Sequence, residues 1–84
     1  MIVRLLLFAG AREAAGRSRD EFEVEPDAPL DLLLAHAVER YGAGFATVLA
    51  SSRVGINGDE PAADPAPTLA PNDEVAVLPP VSGG

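Results

Sequence analysis

The chain has 84 residues, with thirteen acidic side chains against six basic ones, all arginine, and a formal net charge of −7. That balance argues against nucleic acid as a partner and favours a protein with a basic face. With no cysteine and one histidine, His36, the sequence offers no disulfide, no thiolate metal site and no histidine pair, and its 48% apolar content suits a single small folded domain.

Ile2 to Phe8 is a nearly continuous apolar run, the pattern of a strand covered on both faces. Leu5-Leu6-Leu7-Phe8 followed by Ala9-Gly10-Ala11 also has the outline of a minimal signal peptide. The apolar stretch is short, however, and only Arg4 precedes it. Cleavage there would also remove the best strand, so the chain is read as cytoplasmic. No segment approaches transmembrane length. Ala9 to Gly16 turns the chain, with Arg12 and Glu13 on one short helical turn. From Asp20 to Glu25 the pattern alternates: Phe22 and Val24 face one way, Glu21, Glu23 and Glu25 the other. This is a half-exposed strand with a solvated acidic face, returning antiparallel beside the first.

Pro26 to Pro29 starts a helix, with Asp27 as its N-cap and Pro29 in its first turn. Leu30, Leu33, Leu34, Ala37 and Tyr41 fall on one apolar face, with Leu34 at its middle. Arg40 and Gly42 are stop signals. His36 lies off that stripe and is expected to be exposed. Phe45, Val48 and Leu49 fit a second, weaker helical turn. Arg53 to Asn57 is a short strand, and Asn57-Gly58 a hairpin turn. Pro61, Pro65 and Pro67 then exclude a central strand, leaving at most an edge strand around Asp59 to Ala62. Leu69 plugs the core. Ala70-Pro71-Asn72-Asp73 is a turn with Asn at a φ > 0 position. Glu74 to Leu78 is the last strand. The first and last strands are the most apolar, so they are expected as central neighbours in a mixed sheet of four to five strands, with one main helix packed on one face.

The end of the chain, Leu78-Pro79-Pro80-Val81-Ser82-Gly83-Gly84, departs from this pattern. Two prolines stop the ladder and favour an extended exit. Seven residues at about 3.3 Å each reach roughly 23 Å. Gly83 and Gly84 present no side chain, so a narrow tunnel admits the backbone and a terminal carboxylate. The organisation is therefore a domain over 1–78 and a working tail over 79–84.

The order of elements and the Gly-Gly end resemble the ubiquitin-like β-grasp fold, an α+β architecture. Within it three motifs resemble the MoaD family of molybdopterin synthase small subunits. They are Leu7-Phe8-Ala9-Gly10-Ala11-Arg12-Glu13-Ala14-Ala15-Gly16, then Ile56-Asn57-Gly58, then Asn72 to Gly84 with its Pro79-Pro80-Val81-Ser82-Gly83-Gly84 end. Thiamine-pathway carriers of the ThiS family share the Gly-Gly end. Val77 and Leu78 stand where MoaD proteins often have aromatics, and Asn72 where they have a turn glycine.

The resemblance implies that a ubiquitin-activating-type, MoeB-like enzyme adenylates the Gly84 carboxylate with ATP, and that a persulfide donor converts it to a thiocarboxylate. The tail then enters a MoaE-like large subunit and delivers sulfur for the molybdopterin dithiolene. By the same resemblance Gly84, with Gly83 behind it, is the reacting end. Phe8, Arg12, Leu78, Pro79, Pro80, Val81 and Ser82 meet the partner, and Asp73 and Glu74 meet basic residues of the activating enzyme. Phe8 serves equally well as core, while Asp73 in a turn needs no further reason, so a structural role is slightly favoured for Asp73 and Glu74. The chain is expected to bind no cofactor or metal and to catalyse nothing alone, since a thiocarboxylate supplies the nucleophile and the partner the acid and base groups. A sulfur carrier for thiamine or cysteine synthesis, a ubiquitin-like modifier of protein lysines, and a binding module with an inert tail remain the alternatives.

Overall fold

The computed structural model describes residues 1–80; Val81, Ser82, Gly83 and Gly84, four of the expected tail residues, lie outside the described residues. Seven elements follow in order: β1 (Ile2–Leu7), α1 (Ala9–Ala15), β2 (Arg19–Glu23), α2 (Leu30–Tyr41), α3 (Ala43–Ala50), β3 (Arg53–Ile56) and β4 (Glu74–Leu78). The sheet order is β2-β1-β4-β3. β1 pairs antiparallel with β2 and parallel with β4, and β3 closes the other edge antiparallel to β4. The first and last strands are the central neighbours, as expected.

The reason is not the one the apolar runs suggested. Val3, Leu5 and Leu7 are buried on one face of β1, and Val75 and Val77 on the same face of β4. Ile2, Arg4, Glu74 and Leu78 are exposed on the other. The sheet is thus covered on one side only. Helices lie over that side and, among the described residues, none over the other, so each strand obeys the two-residue period despite its continuous lettering. The core is completed by Ala11, Phe22, Val24, Leu33, Ala37, Phe45 and Leu69.

Three further readings are corrected. The two segments read as helical turns, around Arg12 and around Phe45, are the helices α1 and α3, and Phe45 is fully buried. Gly16, at φ 78°, ends α1 by donating its N–H to the Arg12 carbonyl, the usual left-handed glycine stop. Asp27 is not the N-cap of α2. It takes φ 60° in the preceding turn, Pro29 holds the cap position, and the Leu30 N–H donates to the Pro67 carbonyl instead. On α2 the buried residues are Leu30, Leu33 and Ala37, while Leu34 is only half-buried. The helix is rotated so that Leu33, not Leu34, points into the core.

The proline-rich segment forms no strand; one bridge joins Asp59 to Ile56, and another ties Thr68 to Pro29. It straps the start of α2 and seats Leu69, whose N–H donates to the Ala28 carbonyl at 2.8 Å. Among the described residues no helix is long and apolar enough to cross a membrane.

One polar cluster pins α2 to β2. The Asp20 carboxylate accepts from the Tyr41 hydroxyl at 2.6 Å, from Arg40 at 2.9 Å and from the Glu21 N–H at 2.8 Å, with Arg17 at 3.3 Å. Arg40 also lies 3.8 Å over the Phe22 ring. Burial alone would raise the Asp20 pKa, but the Tyr41, Arg40 and Glu21 hydrogen bonds outweigh it and hold the group at about 2. The Tyr41 hydroxyl is pushed up, first by burial and then by its carboxylate partner.

Two measurements follow. Leu33→Ala should cost about 2–5 kcal/mol in denaturant unfolding and the exposed Leu32→Ala about 0.5 kcal/mol or less. Because the folded pKa of Asp20 lies below its unfolded value, its stabilisation is complete above about pH 4 and is lost as pH falls towards 2. Asp20→Asn should therefore flatten the acid limb of the stability curve in that window, and an unchanged limb would refute the assignment.

Candidate functional site at the end of the central strands

Because β1 and β4 are parallel, their C-terminal ends lie at the same rim of the sheet. The register pairs Leu7 with Val77, so Phe8 and Leu78 follow side by side. Both are exposed, at 46% and 43%, and the reading of Phe8 as core is set aside. The backbone explains its placement. Phe8 is still extended, at φ −119° and ψ 153°, but Ala9 takes φ 47°, a region that a residue with a Cβ seldom occupies. The chain therefore turns sharply into α1 and leaves the ring at the corner. The Phe8 carbonyl accepts from the N–H groups of Ala11 at 3.0 Å and Arg12 at 3.3 Å, so Arg12 rides one helical turn from Phe8 with its side chain in solvent.

Leu78 pairs with Arg53 on β3, beside a shallow groove of about 230 Å³ lined by Gly55, Ala76, Asp59 and Glu60. Arg53 reaches Glu60 only at 4.0 Å and is 80% exposed, so it is an available cation next to the exit. Pro79 and Pro80 continue past the last strand. Phe8, Arg12, Leu78, Pro79 and Pro80 thus share one end of the molecule. Val81, Ser82, Gly83 and Gly84 lie outside the described residues.

Asp73 and Glu74 do not join this group. They sit where β4 begins, about 13 Å along the strand from Leu78 at 3.3 Å per residue. Asp73 is occupied structurally: it accepts from the Asn57 amide and from the Ala70 N–H, both at 2.8 Å. The Asn57 side-chain oxygen accepts in turn from the Glu74 N–H at 2.9 Å. Two turn motifs far apart in sequence, Ile56-Asn57-Gly58 and Asn72-Asp73-Glu74, are one hydrogen-bonded knot. Asn57 and Gly58, at φ 51° and 88°, give the turn its hairpin geometry, and Asn72, at φ 66°, gives the second turn the conformation expected of it. The link between Asn57 and the Asp73 turn, and the place of Arg53 beside Leu78 at the other end of β4, were missed, since only the pairing of β3 with β4 brings them together. No group of three or more histidine, cysteine or acidic side chains able to hold a metal occurs among the described residues.

A four-stranded mixed sheet with its last strand in the centre, helices on one face, and an apolar rim at the strand end defines a ubiquitin-like β-grasp domain. Residues 5–84 match the ThiS family, and the chain belongs to that family. It is 32% identical over 84 residues, all of both chains, to the molybdopterin synthase sulfur carrier subunit of Chlamydomonas reinhardtii. Among solved structures it resembles SAMP1 from Haloferax volcanii, with TM-score 0.86, 30% identity and full coverage of both chains. It also resembles a putative molybdopterin converting factor subunit 1 from Pyrococcus furiosus, with TM-score 0.82, 26% identity, and 96% and 99% of the two chains covered.

Since Phe8 and Leu78 are surface residues, replacing either by Ala should cost about 1 kcal/mol or less, whereas Leu5→Ala, fully buried, should cost about 2–5 kcal/mol. Equal losses in urea titrations would place the two exposed side chains in the core after all.

Proposed function

We propose that this chain is the sulfur carrier and small subunit of a molybdopterin synthase. The observation that carries the reading is the central β4, which ends at a rim where Phe8 and Leu78 are left uncovered. The full-length likeness to a named sulfur carrier subunit supports it.

The chemistry requires a reactive chain end more than a side chain. A carboxylate is a poor electrophile. Attack of the Gly84 carboxylate on the α-phosphorus of ATP releases pyrophosphate and leaves an acyl-adenylate with AMP as leaving group. The terminal sulfur of a persulfide displaces AMP to give an acyl disulfide, and a thiol cleaves its S–S bond to free the thiocarboxylate. This sulfur is the nucleophile used in the partner's active site. In this scheme the chain binds no cofactor itself, ATP belongs to the MoeB-like activating enzyme, and the MoaE-like large subunit supplies the acid and base groups. The protein acts in the cytoplasm, without catalysing a step alone.

Phe8 and Leu78 form the apolar part of the docking surface and Arg12 its cation, with Pro79 and Pro80 as a stiff stem leading to Val81, Ser82, Gly83 and Gly84. Glu74, exposed beside Arg4, is the remaining candidate for contact with the activating enzyme. The likeness to SAMP1, elsewhere described as a small archaeal modifier protein, favours a second reading as a ubiquitin-like modifier. The two share the adenylate and part at the acceptor, sulfur in one case and a lysine amine in the other.

Intact mass of the protein isolated from cells should show a species about 16 Da heavier, sulfur having replaced one oxygen at the activated acyl carbon. Deletion of Gly84, or extension by one residue, should abolish that species and sulfur transfer while melting stays unchanged. Isopeptide-linked conjugates without the heavier species would favour the modifier, and full activity of an untrimmed extended chain would refute both. Arg12→Ala should weaken binding to the large subunit at least tenfold in titration calorimetry if it meets a carboxylate there.

A further inference from the structure

We infer that the contact of Arg40 and Asp20 with Glu21 is a guard that closes the free edge of β2 against pairing with a second copy of this chain. An edge strand displays unpaired N–H and C=O groups and so templates the addition of another strand. In the β1–β2 ladder the Leu7 N–H donates to the Ser18 carbonyl and the Val24 N–H to the Met1 carbonyl. With the observed register, residues 18, 20, 22 and 24 turn their backbone groups toward β1. Arg19, Glu21 and Glu23 therefore turn theirs outward, to the edge.

At the centre of that row both groups of Glu21 are already taken. Its N–H donates to Asp20 Oδ1 at 2.8 Å, and its carbonyl accepts from Arg40 Nη1 at 3.0 Å. Arg40 is held there by Asp20 Oδ2 at 2.9 Å and by the Phe22 ring beneath its guanidinium. The outward groups of Arg19 and Glu23 receive no such partner among the described residues.

The sequence of this edge suits pairing with itself once the guard is removed. An antiparallel two-fold pairing centred on Glu21 sets Arg19 opposite Glu23 of the second copy, twice. All three side chains are exposed, so two cross-strand ion pairs would form around one Glu21–Glu21 repulsion. Charge thus favours a second copy as the occupant, and the guard keeps it out. The inference stands independently of the sulfur-carrier reading.

Arg40→Met keeps an aliphatic chain over Phe22 but removes the donor to the Glu21 carbonyl. In sedimentation equilibrium this variant should self-associate at least about tenfold more tightly than the unmodified chain, which should remain monomeric. Dimerisation should slow hydrogen exchange at the amides of Arg19, Glu21 and Glu23. Adding Glu21→Pro, which deletes an outward N–H without touching the β1 ladder, should return Arg40→Met to the monomer. A monomeric Arg40→Met, a dimer indifferent to Glu21→Pro, or an unmodified chain that already pairs through β2 would each overturn the guard. The unmodified protein offers a check free of folding defects. Its Glu21 amide should exchange more slowly than those of Arg19 and Glu23, and equal exchange would also overturn the inference.

Discussion

The parallel pairing of β1 with β4 is the constraint on which the rest of the architecture depends. It joins residues 4–7 to residues 74–77, so nearly the whole chain must be accommodated between two adjacent strands. Parallel neighbours cannot be joined by a tight turn. The intervening chain adds one antiparallel strand to each side, β2 beside β1 and β3 beside β4, and lays its helices across a single face. With the two sheet edges filled by the short strands β2 and β3, the two most apolar strands are left in the middle, where Leu5, Leu7, Val75 and Val77 form the floor of the core.

From that pairing the candidate site follows. Two parallel strands end on the same side, so the chain's exit and the corner at Phe8 cannot be separated. The two-residue period of β1, with Leu7 buried, sets the Phe8 ring outward, and the positive φ of Ala9 turns the chain into α1 just beyond it. The knot of Asn57, Asp73 and Glu74 at the other end of β4 fixes where that strand begins, and so where it stops. The two ends of β4 differ accordingly, one locked in the knot and the other open at the rim beside Phe8.

Much of this was legible in the sequence. The alternation of Phe22 and Val24 with glutamates marked β2 to within two residues at its ends, and the prolines ruled out a further central strand. Asn72 announced its left-handed turn, and Leu69 its place in the core. What escaped was whatever depends on orientation between distant elements. In Ile2 to Leu7 only Arg4 interrupts the apolar lettering of the outer face, too weak an alternation to reveal that face as open before the helices are placed. Leu33 and Leu34 are equally good core residues until α2 is rotated by its contact with β2. Asp20 reads as the start of a strand, and Arg40 as a helix stop. Their hydrogen bond requires the sheet and helix to be already assembled. Whether residues 81–84 carry chemistry is written in the sequence pattern and in the family, not in the geometry of the described domain.

The direction of β4 also determines how the domain responds to tension. When the chain end is drawn away along the axis of β4, the load passes to the ladders with β1 and β3 lengthwise. The hydrogen bonds on both flanks then bear the force together, in shear, instead of opening one after another as at a peeled edge. Resistance to such a pull is set by the barrier to unfolding rather than by equilibrium stability. A pull on the end of β4 is therefore met by the part of the sheet best placed to withstand it.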